Sequence, residues 1–544
     1  MEPHTISSEI LAKPPLGPFP SISARNSGAN VRHDARRDRP RRPKNERSPM
    51  SETPAAALPS QPRPVSSIDA WEAEFDVIVV GFGIAGGAAA IEARRAGANV
   101  LILEQQTRGG GATANSEGTI YFGGGTRVQK AAGFDDSLDD MLTHVKEAAG
   151  PTADPDKVRL YCENSLGHFD FFLSCGVEFK DTYYEEKVIF PPTDDCLIYS
   201  GNEQAYPFSD HAAPFPRGHK PMREGSAGAY LIECMIETFE KEGGEIRNET
   251  RVVTLVRDET SGRVVGVIAE TDGREYAIRA TGGVILTTGG FIMNREMLAR
   301  FAPHLARCKY PIGSDGCDGS GIRMGMGVGG NAVNMHEGLM TTPFFPPNTH
   351  ISGLLVSTQG TRFVNEDCYH GRVTDAILTK ADGTAYLIVD DALYDEEKMF
   401  VPYPMVAVEE TLEELEASLE MPKGQLVHTI ESYNAAAAEG VDPVFHKAGK
   451  WVTPLDNPPY AALDLSIDNA VWAVFTLGGL DTHPTGEVLS VDGQVVPGLF
   501  AAGRASAGLT RSGSHYASGM SIGGGSFFGR MAGRSAAGAP PIGS

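Results

Sequence analysis

An α/β fold built on a parallel sheet is predicted for this chain, and three observations in residues 75–104 predict it. The apolar run Val77-Ile78-Val79-Val80 is short and β-branched, which suits a buried parallel strand rather than a helix. Gly81, Gly83 and Gly86 follow in G-x-G-x-x-G spacing, ahead of an Ala-rich helical stretch from Ala88 to Arg95. After Gly97 a second apolar run, Val100 to Leu103, ends on Glu104, 18 residues past Gly86. Strand, glycine turn, helix, strand and acid in this order describe a Rossmann-like dinucleotide-binding unit. In such a unit Gly81 allows the tight turn, Gly83 lets a pyrophosphate approach the backbone, and Gly86 lets the helix pack closely. The helix N-terminus offers free N–H groups to phosphate, and Glu104 is placed to bind a ribose hydroxyl.

The 544 residues allow two domains and a large core. A net charge of −23 argues against nucleic acid as a partner, and no apolar run reaches the ~20 residues of a membrane span. The seven cysteines are scattered, with no C-x-x-C. That excludes c-type haem attachment and a zinc spacing, and it predicts free thiols in a reducing, cytoplasmic setting.

Residues 1–70 are rich in Pro, Ser, Arg and Ala and are predicted to be a disordered extension. A transit peptide, a basic arm, or upstream sequence ahead of a start at Met50 would each fit, and the last is preferred. Residues 71–334 form the first part of the cofactor-binding domain. In them, Arg108 to Ser116 holds Gly109, Gly110 and Gly111, a candidate anion nest, and Gly123-Gly124-Gly125 repeats the character. Residues 135–180 read as amphipathic helices with a start at Asp154-Pro155, residues 181–225 as a long loop, and Ala227 to Gly243 as a helix. Two strands are predicted next, Glu245 to Arg257 and Val264 to Ala280, with Val252-Val253 near the adenine end. A further strand, Gly283 to Thr288, runs into Gly289-Gly290. Asp318 either caps the helix beginning at Ile322 or sits in a glycine segment that approaches the cofactor. Residues 335–465 have few glycines and acidic-faced helices, and are predicted to be an inserted α+β domain. Residues 466–544 return to the Gly-rich style and complete the first domain.

The segments VIVVGFGIAGGAAA, RGGGAT, VILTTGGF with Asn294, DGSGI, RFVNE and PGLFAAGR span residues 75–530. In this order they resemble the flavoprotein family of fumarate reductases, succinate dehydrogenases and 3-ketosteroid dehydrogenases. The resemblance implies bound FAD and a cap domain over the flavin. It adds Thr113, Val253, Thr288, Gly290, Gly503, Ser521 and Ile522 to the cofactor-binding set already led by Gly81, Gly83, Gly86, Glu104, Gly110, Gly111, Gly289 and Asp318. No His lies near Thr113, so no covalent flavin link is expected. No metal is expected.

Departures within the family choose the member. The His-Gly pair of dicarboxylate reductases is missing after PGLFAAGR, although Arg511 remains. Tyr516-Ala517-Ser518, with Tyr369 just after the RFVNE box, looks like the 3-ketosteroid Δ4-(5α)-dehydrogenases, which use two tyrosines and a serine. The resemblance therefore implies a steroid substrate, with Tyr516 stabilising an enolate, Ser518 acting as base and Tyr369 relaying the proton. Tyr516 as a core tyrosine and Ser518 as a helix cap are the plain structural alternatives. A soluble reductase of fumarate-like or urocanate-like acids, and a 3-ketosteroid Δ1-dehydrogenase, are the alternative activities. The electron acceptor is not written in the sequence.

Overall fold

The computed structural model describes residues 58–543. Its main sheet has nine strands, ordered 63–64, 251–257, 264–271, 274–286, 71–80, 100–103 and 245–247, with 495–501 paired to 274–286 and 487–489 beyond it. Strands Trp71–Val80, Val100–Leu103 and Glu245–Arg247 run parallel, as do Val495–Ala501 and the second half of Arg274–Leu286. Helix Ile84–Arg95 is buried along most of its length, which is why it reads as Ala and Gly. It packs against the final helix, Met520–Ala536, at backbone distance. A Cβ on Gly529 would stand 2.3 Å from the Ala85 carbonyl oxygen, and one on Gly533 2.1 Å from that of Ala89. The α/β class and the parallel sheet follow from the sequence pattern.

Several local expectations are corrected. Residues 58–70 are ordered on the sheet: Arg63–Pro64 pairs in parallel with Arg251–Arg257, and Ser60 N donates to the Arg323 carbonyl at 2.9 Å. Residues 1–57, with Met50 and the basic run, lie outside the described residues. The strand predicted from Glu245 to Arg257 is broken, because Glu249 takes φ 52° between Glu245–Arg247 and Arg251–Arg257. The stretch from Val264 to Leu286 folds as two antiparallel strands turned at Asp272-Gly273, both at positive φ. The second of these continues unbroken through the run at Gly283. The long loop of residues 181–225 holds two short strands, Leu197–Ile198 and Gly218–His219.

A second, antiparallel sheet has the strand order 354–357, 385–390, 460–464 and 405–409, with helices His370–Lys380, Leu412–Ser418 and Gln425–Ala437 in the same part of the chain. Its apolar core includes Leu354, Ile388 and Trp472. The RFVNE box sits at its edge. Arg362 binds Glu366 at 2.7 Å and Asp442 at 2.8 Å, and Lys447 reaches Glu366 at 3.0 Å, all buried. The cations hold both carboxyls below their usual range despite burial. This ionic knot fixes the turn that leads into Tyr369. All seven cysteines are free thiols. No described helix is long and apolar enough to cross a membrane.

Candidate active site

Four strands of the parallel layer end in register. Val80 pairs with Leu103 and with Leu286, and Leu286 pairs with Ala501. Residues just beyond each end, 81–85, 104–106, 287–289 and 503–504, line one cavity of about 530 Å³. Ligands of open parallel sheets bind in this place, outside the carboxyl ends of the strands.

Of the sequence-predicted cofactor residues, Gly81, Gly83, Glu104, Gly111, Thr113, Thr288, Gly289, Gly503, Ser521 and Ile522 line the cavity. Gly81 has φ +96°, and a Cβ there would stand 2.9 Å from the Thr287 carbonyl oxygen. Five others do not line it. Gly86 lies beneath the turn, where a Cβ would meet the Gly81 carbonyl oxygen at 2.0 Å; its role is close packing. Gly110 donates its N–H to the Phe82 carbonyl at 2.6 Å and so braces the loop. Gly290 packs on Thr476. Asp318 accepts the Ser320 N–H at 2.9 Å at the start of helix Ser320–Gly327, and meets Arg251 at 3.3 Å. Val253 is replaced in the wall by Val252, because neighbouring residues of a strand face opposite sides.

The residues present suit an extended, phosphate-bearing cofactor. The hydroxyls of Thr119 and Thr288 border the cavity, are buried, and have no partner among the described residues. A ligand that accepts or donates hydrogen bonds there would satisfy them. Glu104 accepts Phe82 N at 2.8 Å and Gln106 N at 2.9 Å, one on each oxygen. Each oxygen retains a lone pair for a ribose hydroxyl.

At another part of the cavity stand Tyr369, Tyr516 and Ser518, brought together from sequence positions almost 150 residues apart. The Tyr369 hydroxyl lies 2.7 Å from Ser518 Oγ, and the two tyrosine rings are 6.3 Å apart. Ser518 does not cap the last helix, whose N-cap is Gly519 without a side-chain bond. Tyr516 Oη accepts the Ser521 N–H at 3.3 Å, which leaves its own hydrogen free to point into the cavity. Burial pushes the Tyr516 phenol up to about 12 and the Tyr369 phenol higher still, so both are neutral donors at pH 7.

Main-chain contacts from one loop hold this group. Ser518 N donates to the Ser200 carbonyl at 2.8 Å, Ser200 Oγ donates to the Ser518 carbonyl at 3.0 Å, and Tyr369 N donates to Asn202 Oδ1 at 2.7 Å. Sequence reasoning missed Ser200 and Asn202, which lie in a stretch without periodicity. It also missed Glu117, which lines the cavity, and Arg504, whose guanidinium stacks 5.0 Å from the Phe475 ring. Arg511, the residue suited to a carboxylate, does not line the cavity. Its guanidinium meets Asp481 at 3.6 Å.

A family model described as FAD binding domain matches residues 76–521. The chain belongs to this FAD-binding family. Within it, the chain is similar to a crystal structure of 3-ketosteroid-Δ4-(5α)-dehydrogenase from Rhodococcus jostii RHA1 in complex with 4-androstene-3,17-dione. The identity is 44%, the TM-score 0.83, and the match covers 88% of this chain and 100% of that one. The 3-oxo-5-alpha-steroid 4-dehydrogenase of Comamonas testosteroni is 28% identical over 498 residues, 80% of this chain and 93% of the relative. A probable fumarate reductase of Shewanella frigidimarina is 27% identical over 475 residues, 85% of this chain and 74% of the relative.

As a member of the FAD-binding family the chain is an FAD-dependent oxidoreductase, and FAD is its cofactor. No histidine occurs between residues 104 and 143, so the flavin is expected to be held without a covalent bond. Acid precipitation should release yellow flavin into the supernatant; flavin retained in the pellet would contradict this.

Proposed function

We propose that this enzyme desaturates a 3-ketosteroid next to its keto group, between carbons 4 and 5. The observation that carries the reading is the hydroxyl pair Tyr369–Ser518 at 2.7 Å, with the free hydrogen of Tyr516 alongside. The similarity to the two Δ4-type relatives supports it. The walls near this group suit a fused apolar ring system: Leu339, Pro343, Val401, Val471 and Phe475 line them. At the mouth, Phe190 and Phe400 meet edge to face at 6.2 Å.

Desaturation beside a ketone needs a donor to the developing enolate oxygen, a base for the α-hydrogen, and an oxidant for the β-hydrogen. Tyr516, neutral and partly desolvated, is the donor. Ser518 is the base. Tyr369 holds Ser518 Oγ in place. FAD, held by the Gly81–Gly83 turn, Glu104 and Thr288, supplies the two-electron oxidant when bound. Residues 335–465, which carry Tyr369, serve as the cap, and residues 71–334 and 466–544 as the cofactor-binding unit.

The carboxylate-reductase reading is disfavoured by the position of Arg511. Arg511→Lys is therefore expected to change turnover of a 3-ketosteroid by less than about tenfold, or ~1.4 kcal/mol of barrier. A collapse of turnover with the fold intact would favour an acid substrate, since lysine cannot replace a bidentate guanidinium. The direct test is anaerobic mixing with 3-keto-5α-steroids, 3-keto-4-ene steroids and dicarboxylates. Bleaching of the flavin by the 5α-steroids supports the Δ4 reading. Bleaching only by 4-ene steroids would move the double bond to the 1,2 position.

A further inference from the structure

We propose that the Arg504 guanidinium is the countercharge for the electron pair that enters the flavin, and that it sets how readily the bound cofactor is reduced. The inference rests on FAD-dependent oxidation and not on any particular substrate. In such an oxidation the β C–H bond breaks and its hydrogen leaves with both electrons, as hydride, for the cofactor. The α-proton leaves separately by way of the base. The substrate gains a double bond and the cofactor gains one negative charge. In a cavity largely shielded from water that charge is costly unless a cation stands beside it.

The cavity wall holds two arginines, Arg251 and Arg504, and no lysine. Arg251 is paired with Asp318 at 3.3 Å. Arg504 has no carboxylate partner among the described residues; it donates to the Ile312 carbonyl at 3.3 Å and to Cys317 Sγ at 3.9 Å, two long contacts with uncharged groups. A guanidinium stays charged at any working pH. Arg504 is thus a permanent cation in the cavity wall that the protein itself leaves unpaired.

Its backbone and its charge stand at different ends of the site. Gly503, at φ +64°, abuts the first turn of helix Ile84–Arg95: a Cβ there would stand 2.9 Å from that of Ala85. This is the helix N-terminus suited to the cofactor phosphates. The guanidinium lies toward the tyrosines instead. It stacks 5.0 Å from the Phe475 ring, and Phe475 meets the Tyr516 ring edge to face at 5.6 Å. Phe475 belongs to a small sheet, Tyr310–Pro311, Ala473–Thr476 and Gly338–Thr341, from which Thr341, Ala473 and Leu339 also line the cavity. Hydride moves only between groups in contact, so a cofactor with its phosphates on the helix must bring its ring toward Tyr516 and Ser518, past this guanidinium. Stacking on Phe475 holds the cation by its flat face and leaves its N–H edge for an acceptor. The charge therefore serves the ring end of the cofactor and not the phosphates.

The test needs no substrate. The flavin-loaded enzyme is reduced slowly in equilibrium with a reference dye of known potential, and the ratio of reduced to oxidised flavin is read against the dye. Arg504→Met, which keeps an unbranched stem beside Phe475 and removes the charge, is expected to lower that ratio about 10- to 100-fold, ~30–60 mV for a two-electron couple. Arg504→Lys should fall between Arg504→Met and the wild type, because it restores the charge without the fork. FAD affinity of the oxidised protein should change little, since the oxidised ring is neutral. Arg504→Gln is the second neutral variant should methionine disturb the packing. An unchanged potential in a flavin-loaded neutral variant overturns the proposal, as does an equal fall in Arg504→Lys and Arg504→Met, which would mark shape rather than charge. Loss of flavin from both neutral variants would assign Arg504 to holding the phosphates and would overturn it too. None of these results bears on the desaturation reading, which stands or falls on bleaching by ketones.

Discussion

Ser518→Ala is expected to slow flavin reduction by a 3-keto-5α-steroid by about 10²–10⁴-fold, the range for loss of a general base. The substitution removes the oxygen that lies 2.7 Å from the Tyr369 hydroxyl and leaves the cofactor walls alone. Tyr369→Phe should also be slow, because Ser518 then loses the donor that orients it. If the two hydroxyls act as one unit, the double variant will be little worse than the poorer single one. Strictly multiplicative losses in a double-mutant cycle would show two independent contributions. All these variants should bind FAD at unit stoichiometry, measurable by absorbance after gel filtration.

Tyr516→Phe should cost about 10²–10³ in rate, or roughly 2.7–4 kcal/mol of barrier, as removal of one oxyanion donor does elsewhere. The ring should stay seated, since Phe475 packs edge-on against it at 5.6 Å and Tyr369 flanks it. The loss should fall on the reduction step rather than on binding, because the enolate charge exists only after the α-proton has begun to leave. Single-turnover kinetics separate the two. Full activity in this variant would sink the assignment of Tyr516 as donor.

The turn-forming glycines and the acid of the first unit were legible in the sequence, because each is tied to a backbone shape that few residues permit. Gly81 shows this: positive φ and a carbonyl at 2.9 Å leave no room for a side chain. Val253 shows the limit. Choosing between Val252 and Val253 depends on strand register, and a one-residue slip exchanges the faces. The break at Glu249 was invisible because a positive φ on glutamate has no propensity signal. The hairpin at Asp272-Gly273 did carry a signal, the Asp-Gly pair typical of tight turns, which the long apolar run around it masked. The order of residues 58–70 depends on pairing with Arg251–Arg257, nearly 200 positions away, which composition cannot express. The same holds for Ser200 and Asn202: each gains meaning only from a partner brought close by the fold.

The loop at Ser200 and Asn202 grips main-chain atoms of Ser518 and Tyr369, and touches neither hydroxyl. Scaffold and reagent are thereby decoupled. The chemistry of positions 369 and 518 can be exchanged, as one changes a bit in a chuck, while the chuck keeps its alignment. A small side chain of other reactivity placed at 518 would inherit the same address above the cofactor walls. Conversely, Asn202→Ala leaves every reacting group in the chain yet loosens the tool holder, so alterations in that loop should blur the aim of the site without altering its inventory.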